Sequence, residues 1–151
     1  MFKINKMTDY AIVCISFLSR TTNKYVNAQT ISSSTGLSLF TVQKILKIIA
    51  SKSDLLLTQR GSSGGYKLIK AVNEISIAQI VEMLDGPIKI TSCVEGTNEI
   101  CDCSALCLLE GNWNNVNKAI IKTLEGFSLA DVINSNDILR INNKKTVNNF
   151  G

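Results

Sequence analysis

Between Asn27 and Tyr66 the chain sets capping residues, amphipathic runs and glycines in an order that few folds accommodate. Asn27 can cap a short helix, Ala28 to Ser34, because its side chain can accept from the unpaired N–H groups of a first turn. Thr35-Gly36-Leu37 makes a tight turn, and Ser38 caps a further helix from Leu39 to about Lys52. In that helix Leu39, Val42, Leu46 and Ile49 share one face at helical spacing, and Phe40, Thr41, Gln43, Lys44 and Lys47 share the other. Two short helices joined through a glycine turn form a helix-turn-helix. Leu55 to Arg60 and Tyr66 to Lys70 then read as strands around Gly61-Ser62-Ser63-Gly64-Gly65, a hairpin that would stand beside the second helix as a wing. The expected class is mainly α with a small β-hairpin wing.

The polar face of the second helix carries hydrogen-bonding side chains near its start and lysines further along. Base-edge contacts and phosphate contacts on duplex DNA call for that distribution. The candidate DNA contacts are therefore Ser38, Phe40, Thr41, Gln43, Lys44 and Lys47, with Arg60, Gly61, Ser62, Ser63, Gly64 and Gly65 of the wing. The glycines are expected to make a flexible tip that enters a narrow groove, and Arg60 to sit in the negative potential of a minor groove. An ordinary solvated lysine face is the competing explanation. The hairpin that follows the helix favours the first, and the charge distribution agrees with it. Residues 1–70 carry ten Lys or Arg against Asp9 and Asp54, a net +8, whereas residues 71–151 carry six against ten acids, a net −4. A basic half of this kind suits a polyanion.

The rest of the chain adds helices and a cysteine-rich segment. Thr8 is expected to cap a helix over 9–20 that is apolar on most sides and so buried, with Cys14 as a small core residue. Ser76 caps Ile77 to Leu84, and Asp85-Gly86-Pro87 stops it. Ile88 to Ser92 leads into a stretch holding Cys93, Cys101, Cys103 and Cys107. Clustered thiolates suit zinc, copper(I) or an iron–sulfur cluster, and the spacing alone does not choose between them. Disulfides are disfavoured because no export signal is evident, which also places the expected location in the cytoplasm. No apolar run is long enough for a membrane span. A long helix from about Asn112 to Glu125 follows, with Trp113, Val116, Ile120, Leu124 and Phe127 along one stripe near coiled-coil spacing. That stripe either meets a second copy of the chain, which is the expectation, or folds back on its own domain. Ser128-Leu129-Ala130-Asp131 can start a short last helix, and the asparagine- and lysine-rich tail should fray. The expected division is 1–87 winged helix, 88–111 cysteine loop, 112–133 dimerisation and cap helices, and 134–151 tail. With no histidine and no nucleotide-binding glycine pattern, an enzyme or electron carrier ranks below a binding protein.

These residues resemble the Rrf-type winged-helix regulators, the group of IscR and NsrR, over roughly residues 1–133. The resemblance rests on Lys6-Met7-Thr8-Asp9-Tyr10-Ala11, on Arg60-Gly61-Ser62-Ser63-Gly64-Gly65-Tyr66, on Ile75-Ser76-Ile77-Ala78 with Leu84-Asp85-Gly86-Pro87, and on the cysteine loop. Gly111-Asn112-Trp113 and Ser128-Leu129-Ala130-Asp131 look most like the branch that regulates SUF cluster assembly. The resemblance implies a homodimer that binds promoter DNA and holds one iron–sulfur cluster, of 2Fe–2S or 4Fe–4S type, per subunit. Cys93, Cys101 and Cys107 match the family's three cysteines, and Cys103 is an additional thiol that can compete. The histidine ligand of part of the family has no counterpart here. Candidates for the fourth ligand are Asp9 of the partner subunit, Glu110, Cys103 and water. A zinc-stabilised DNA-binding module is the alternative.

Overall fold

The structure is a computed structural model that describes residues 3–21, 23–95, 108–109 and 111–133. Cys101, Cys103, Cys107, Glu110 and the tail from 134 lie outside the described residues. The helices are α1 (Lys6–Arg20), α2 (Ala28–Thr35), α3 (Leu39–Lys52), α4 (Ile77–Asp85) and α5 (Asn112–Gly126). The strands are β1 (Leu56–Gln59) and β2 (Gly65–Leu68), and a single 3-10 turn covers Val72–Glu74.

Helical spacing decides which side chains go inside. Ala11, Cys14, Ile15 and Leu18 of α1 meet Ile31 of α2, Val42, Ile45, Leu46 and Ile49 of α3, and Ile77, Ile80 and Val81 of α4 in one core. Asn27, Ser38 and Ser76 cap α2, α3 and α4, each accepting from the backbone N–H three residues on. Gly36 ends α2 at φ 78°, a left-handed conformation that costs glycine nothing. Helix α1 departs from the expected start. It begins at Lys6, and the Asn5 side chain accepts from Met7 N at 3.1 Å. Thr8 already lies inside the first turn, where it is fully buried instead of capping.

The hairpin pairs Leu56 with Leu68 and Gln59 with Gly65 in antiparallel register. A third segment joins it: Val26 N donates to Tyr66 O at 2.9 Å and Tyr66 N to Val26 O at 2.8 Å. This backbone pair ties the wing to the residue preceding the Asn27 cap. Two of the five wing residues expected at a flexible tip are therefore misplaced by sequence reasoning. Gly65 is the first residue of β2, with φ 149°, and a β-carbon there would collide with the Val26 carbonyl. A β-carbon on buried Gly64 would collide with the Gln59 carbonyl. Both glycines serve close packing at the hairpin's base. Gly61, at φ 106° with open space around it, does sit at the tip.

Helix α5 packs on α4. Its far end is pinned by backbone bonds, Ile77 N to Phe127 O at 2.9 Å and Leu129 N to Ile75 O at 2.7 Å. Ser128 and Asp131 then cap each other over a helical segment at 129–133, with the Ser128 Oγ donating to Asp131 Oδ2 at 2.7 Å. These bonds favour the Asp131 carboxylate and hold it below the usual range. The expected stripe on α5 divides. Ile120 and Leu124 are partly buried against the subunit's own core, whereas Trp113, Val116 and Phe127 are exposed. One apolar stripe thus serves its own domain in the middle and is exposed at the ends.

Candidate nucleic-acid interface and cysteine segment

The outward face of α3 is built by its cap. Ser38 Oγ accepts from Thr41 N at 3.2 Å and lies 2.8 Å from Thr41 Oγ1. This pair fixes the first turn and leaves one hydroxyl proton free on the exposed side, so Ser38 and Thr41 stay among the candidate contacts. Phe40, Gln43, Lys44 and Lys47 remain exposed on that face. Phe40 is 76% exposed, so its ring is open to an incoming partner. An apolar ring at the start of such a helix can touch a thymine methyl, a glutamine can pair with adenine, and lysines can reach phosphates. Arg60 is exposed just beyond β1, beside the tip residues Gly61, Ser62 and Ser63. Lys70 at the far end of the hairpin is engaged with Asp54 at 2.9 Å, and this lysine holds the Asp54 carboxyl below its usual range. Lys52 points elsewhere, donating to Met83 O at 3.0 Å, so it is a packing contact between α3 and α4.

The cysteine segment begins on a scaffold that sequence reasoning missed. Asn117 of α5 is 4% exposed. Its amide donates to Ile88 O at 3.0 Å and accepts from Ile90 N at 3.1 Å. A buried backbone group left without a partner costs about 1–3 kcal/mol, which explains an amide on an otherwise inward position. One turn earlier, Asn114 accepts from Glu95 N at 2.9 Å, and Lys118 reaches the Glu95 carboxylate at 3.6 Å. Between these anchors the chain turns at Thr91–Val94, with Val94 buried. Cys93 sits on that turn. Its thiol is free and half-buried, with Thr91 Oγ1 at 3.2 Å. A partly accessible soft donor with a hydroxyl beside its sulfur fits a thiolate bound to iron or zinc. The described residues bring no second or third ligand beside it, since Cys101, Cys103 and Cys107 lie outside them. Cys14 is separate. Burial in the core pushes its thiol up to about 11, so it stays protonated and inert.

Asp9 is exposed in the first turn of α1. It lines a groove with Ile12, Phe17, Arg20, Thr35 and Ile133, and none of the described cysteines lines it. Among the described residues no helix is long and apolar enough to cross a membrane.

Comparisons with known proteins agree with this architecture. The Rrf2 family, described as an iron-dependent transcriptional regulator, matches residues 4–135. The HTH-type transcriptional regulator NsrR of Bacillus licheniformis is 27% identical over 139 residues, covering 91% of this chain and 96% of that protein. NsrR of Oceanobacillus iheyensis is 30% identical over 138 residues, covering 90% and 92%. IscR of Pectobacterium atrosepticum is 28% identical over 111 residues, covering 74% and 66%. Among solved structures, CymR, the global cysteine regulator of B. subtilis, superposes with a TM-score of 0.67 at 20% identity, covering 91% of this chain and all of that one. IscR of T. potens gives 0.62 at 21% identity, covering 91% and 90%. These likenesses show the winged-helix fold. The sequence relatives are HTH-type transcriptional regulators, which are not enzymes. Capped helix-turn-helix, wing and the long helix behind them are thus accounted for together: the chain belongs to the Rrf2 family of transcriptional regulators.

Proposed function

We propose that this chain is an iron–sulfur-dependent regulator that binds promoter DNA as a homodimer and acts on genes of iron–sulfur cluster assembly. The observation that carries the reading is the exposed row Phe40, Gln43, Lys44 and Lys47 beside the Arg60 wing, in a chain that places a free Cys93 on a turn bonded to α5. Phe40 and Gln43 read base edges, Lys44 and Lys47 hold phosphates, and Arg60 with Gly61, Ser62 and Ser63 follows the minor groove. Cys93, Cys101 and Cys107 hold the cluster, with Cys103 as a spare thiol and Asp9 of the partner subunit as fourth ligand. The names NsrR and IscR among the relatives support this assignment. When bound, the group would supply a centre sensitive to oxidation and to small ligands. A carboxylate among thiolates is the exchangeable member of such a set.

The dimer contact runs through Trp113, Val116 and Phe127, which are 37%, 45% and 54% exposed, above the half-buried Ile120 and Leu124. Occupancy of the cysteine segment changes the tilt of α5 and so the separation of two α3 helices on two half-sites. Couplings of this kind are worth ~1–3 kcal/mol, or about 5- to 150-fold in DNA affinity.

The test is anaerobic purification followed by absorption and EPR spectroscopy, metal and sulfide analysis, and promoter binding before and after cluster removal. Iron with acid-labile sulfide and a changed DNA affinity is the expected result. Zinc alone with full DNA binding would replace it with a ligand-blind module.

A further inference from the structure

The described part of the cysteine segment is held by α5 on both sides of Cys93. Asn117 bonds the backbone before it, at Ile88 and Ile90, and Asn114 bonds the backbone after it, at Glu95. Val94, which lies between the two anchored stretches in the chain, is buried. The thiol of Cys93 therefore has a fixed place relative to α5 whatever the remainder of the segment does. A buried amide that spends both its donor and its acceptor on one strand of backbone is also specific: neither Asp, Leu nor Ala can make both bonds.

From this we infer that Asn117, seconded by Asn114, is a positioning residue that locks Cys93 to α5, so that whatever binds this thiol acts directly on the helix carrying Trp113 and Val116. The inference rests on the cluster-sensing reading and specifies its route. Movement of the Cys93 turn is passed to α5 through side-chain amides three residues apart, each next in sequence to a residue of the exposed stripe. The two asparagines do not touch the bound group. They determine whether its presence is felt.

The experiment uses the full chain with Asn117→Leu, Asn117→Asp, Asn114→Ala and, as control, Asn115→Ala at an exposed position of the same helix. The first readout is peptide-resolved alkylation of Cys93 by iodoacetamide in the anaerobic, metal-free protein. Loss of two hydrogen bonds from the segment should raise the rate about tenfold in Asn117→Leu, and by less in Asn117→Asp and Asn114→Ala. Asn115→Ala should match the wild type. The second readout is the ratio of promoter affinities with and without the reconstituted cluster, which should fall toward one in the same order while metal-free affinity holds. Wild-type alkylation rates in Asn117→Asp and Asn114→Ala would overturn the positioning role, even if Asn117→Leu fails to fold. Faster alkylation with an unchanged affinity ratio would overturn the route to α5. A wild-type ratio of one would defeat the sensing reading itself, and with it the route; alkylation would still decide whether Asn117 positions Cys93.

Discussion

Replacing Gly65 with alanine should destabilise the wing far more than the same change at Gly61, four residues away. At Gly65 the added carbon meets the Val26 carbonyl and lies 2.7 Å from Asn27 N, backbone that has no freedom to swing aside. The residue also has φ 149°, which a side chain rarely adopts and which costs roughly 1–3 kcal/mol when forced. Moving the strand away breaks the pair between Val26 and Tyr66, two hydrogen bonds of 2.8 and 2.9 Å worth ~1 kcal/mol each. The total is about 3–5 kcal/mol. For a chain of this size each kcal/mol lowers Tm by roughly 2–4 °C, so Gly65→Ala should melt about 10 °C below the wild type. Gly61→Ala meets nothing within 4 Å and bears only the strain of its φ of 106°. Its loss should stay near ~1–2 kcal/mol. Gly64→Ala has the collision with Gln59 without the positive φ, and should fall between them. Circular dichroism melts of the three variants decide the matter. Equal melting temperatures for Gly65→Ala and Gly61→Ala would show that the bridge to Val26 does not hold the wing.

Three further outcomes are expected. Cys14, pushed by burial from 9.0 to about 11, resists ionisation when folded, so its contribution is full below pH 9 and is lost as pH rises to 11. Two pKa units correspond to about 2–3 kcal/mol. Urea unfolding at pH 8 and 10.5 should show a smaller decline in Cys14→Ala than in the wild type; equal declines refute the burial argument. Lys44→Ala should lower the salt dependence of promoter binding by about 0.9 in log–log slope, one phosphate's worth, and an unchanged slope removes Lys44 from the interface. Trp113→Glu with Val116→Glu should give folded monomers of weak DNA affinity by light scattering and anisotropy. A double variant that stays dimeric would move the interface away from the ends of α5. Ile120 and Leu124 are unsuitable for that test, because they also pack on the core.

Local chemistry was readable in the chain and remote geometry was not. Asn27, Ser38, Ser76 and the Ser128–Asp131 pair were identifiable because a cap bonds to backbone within three residues, and both partners lie in one short window. The first helix misled because Asn5 and Thr8 are both competent caps, and only the packing of Thr8 against the core settles which one is used. Gly65 looked like a loop residue because the neighbour that requires it, Val26, is 39 positions away, and Gly64 because its approach to the Gln59 carbonyl depends on how the hairpin closes. The double duty of the α5 stripe was hidden for a similar reason: helical spacing shows which residues share a face but not where a neighbouring helix crosses it. Asn114 and Asn117 gave the weakest signal. Two asparagines three apart on a helix are a hint at most, and their partners lie 19 to 29 residues earlier.

One arrangement has an evolutionary consequence. Glu95 is bonded to Asn114, two residues into α5, so the chain enters and leaves the intervening stretch at nearly the same place. The winged helix has already brought those ends together, and further length between them is thermodynamically cheap: each doubling of such a stretch adds only about 0.6 kcal/mol. On the proposed reading, changes in the number and spacing of cysteines there would leave α3 and the wing undisturbed. On that reading the stretch would serve as an exchangeable cassette, and one winged-helix frame would suit chains that answer to different chemical signals.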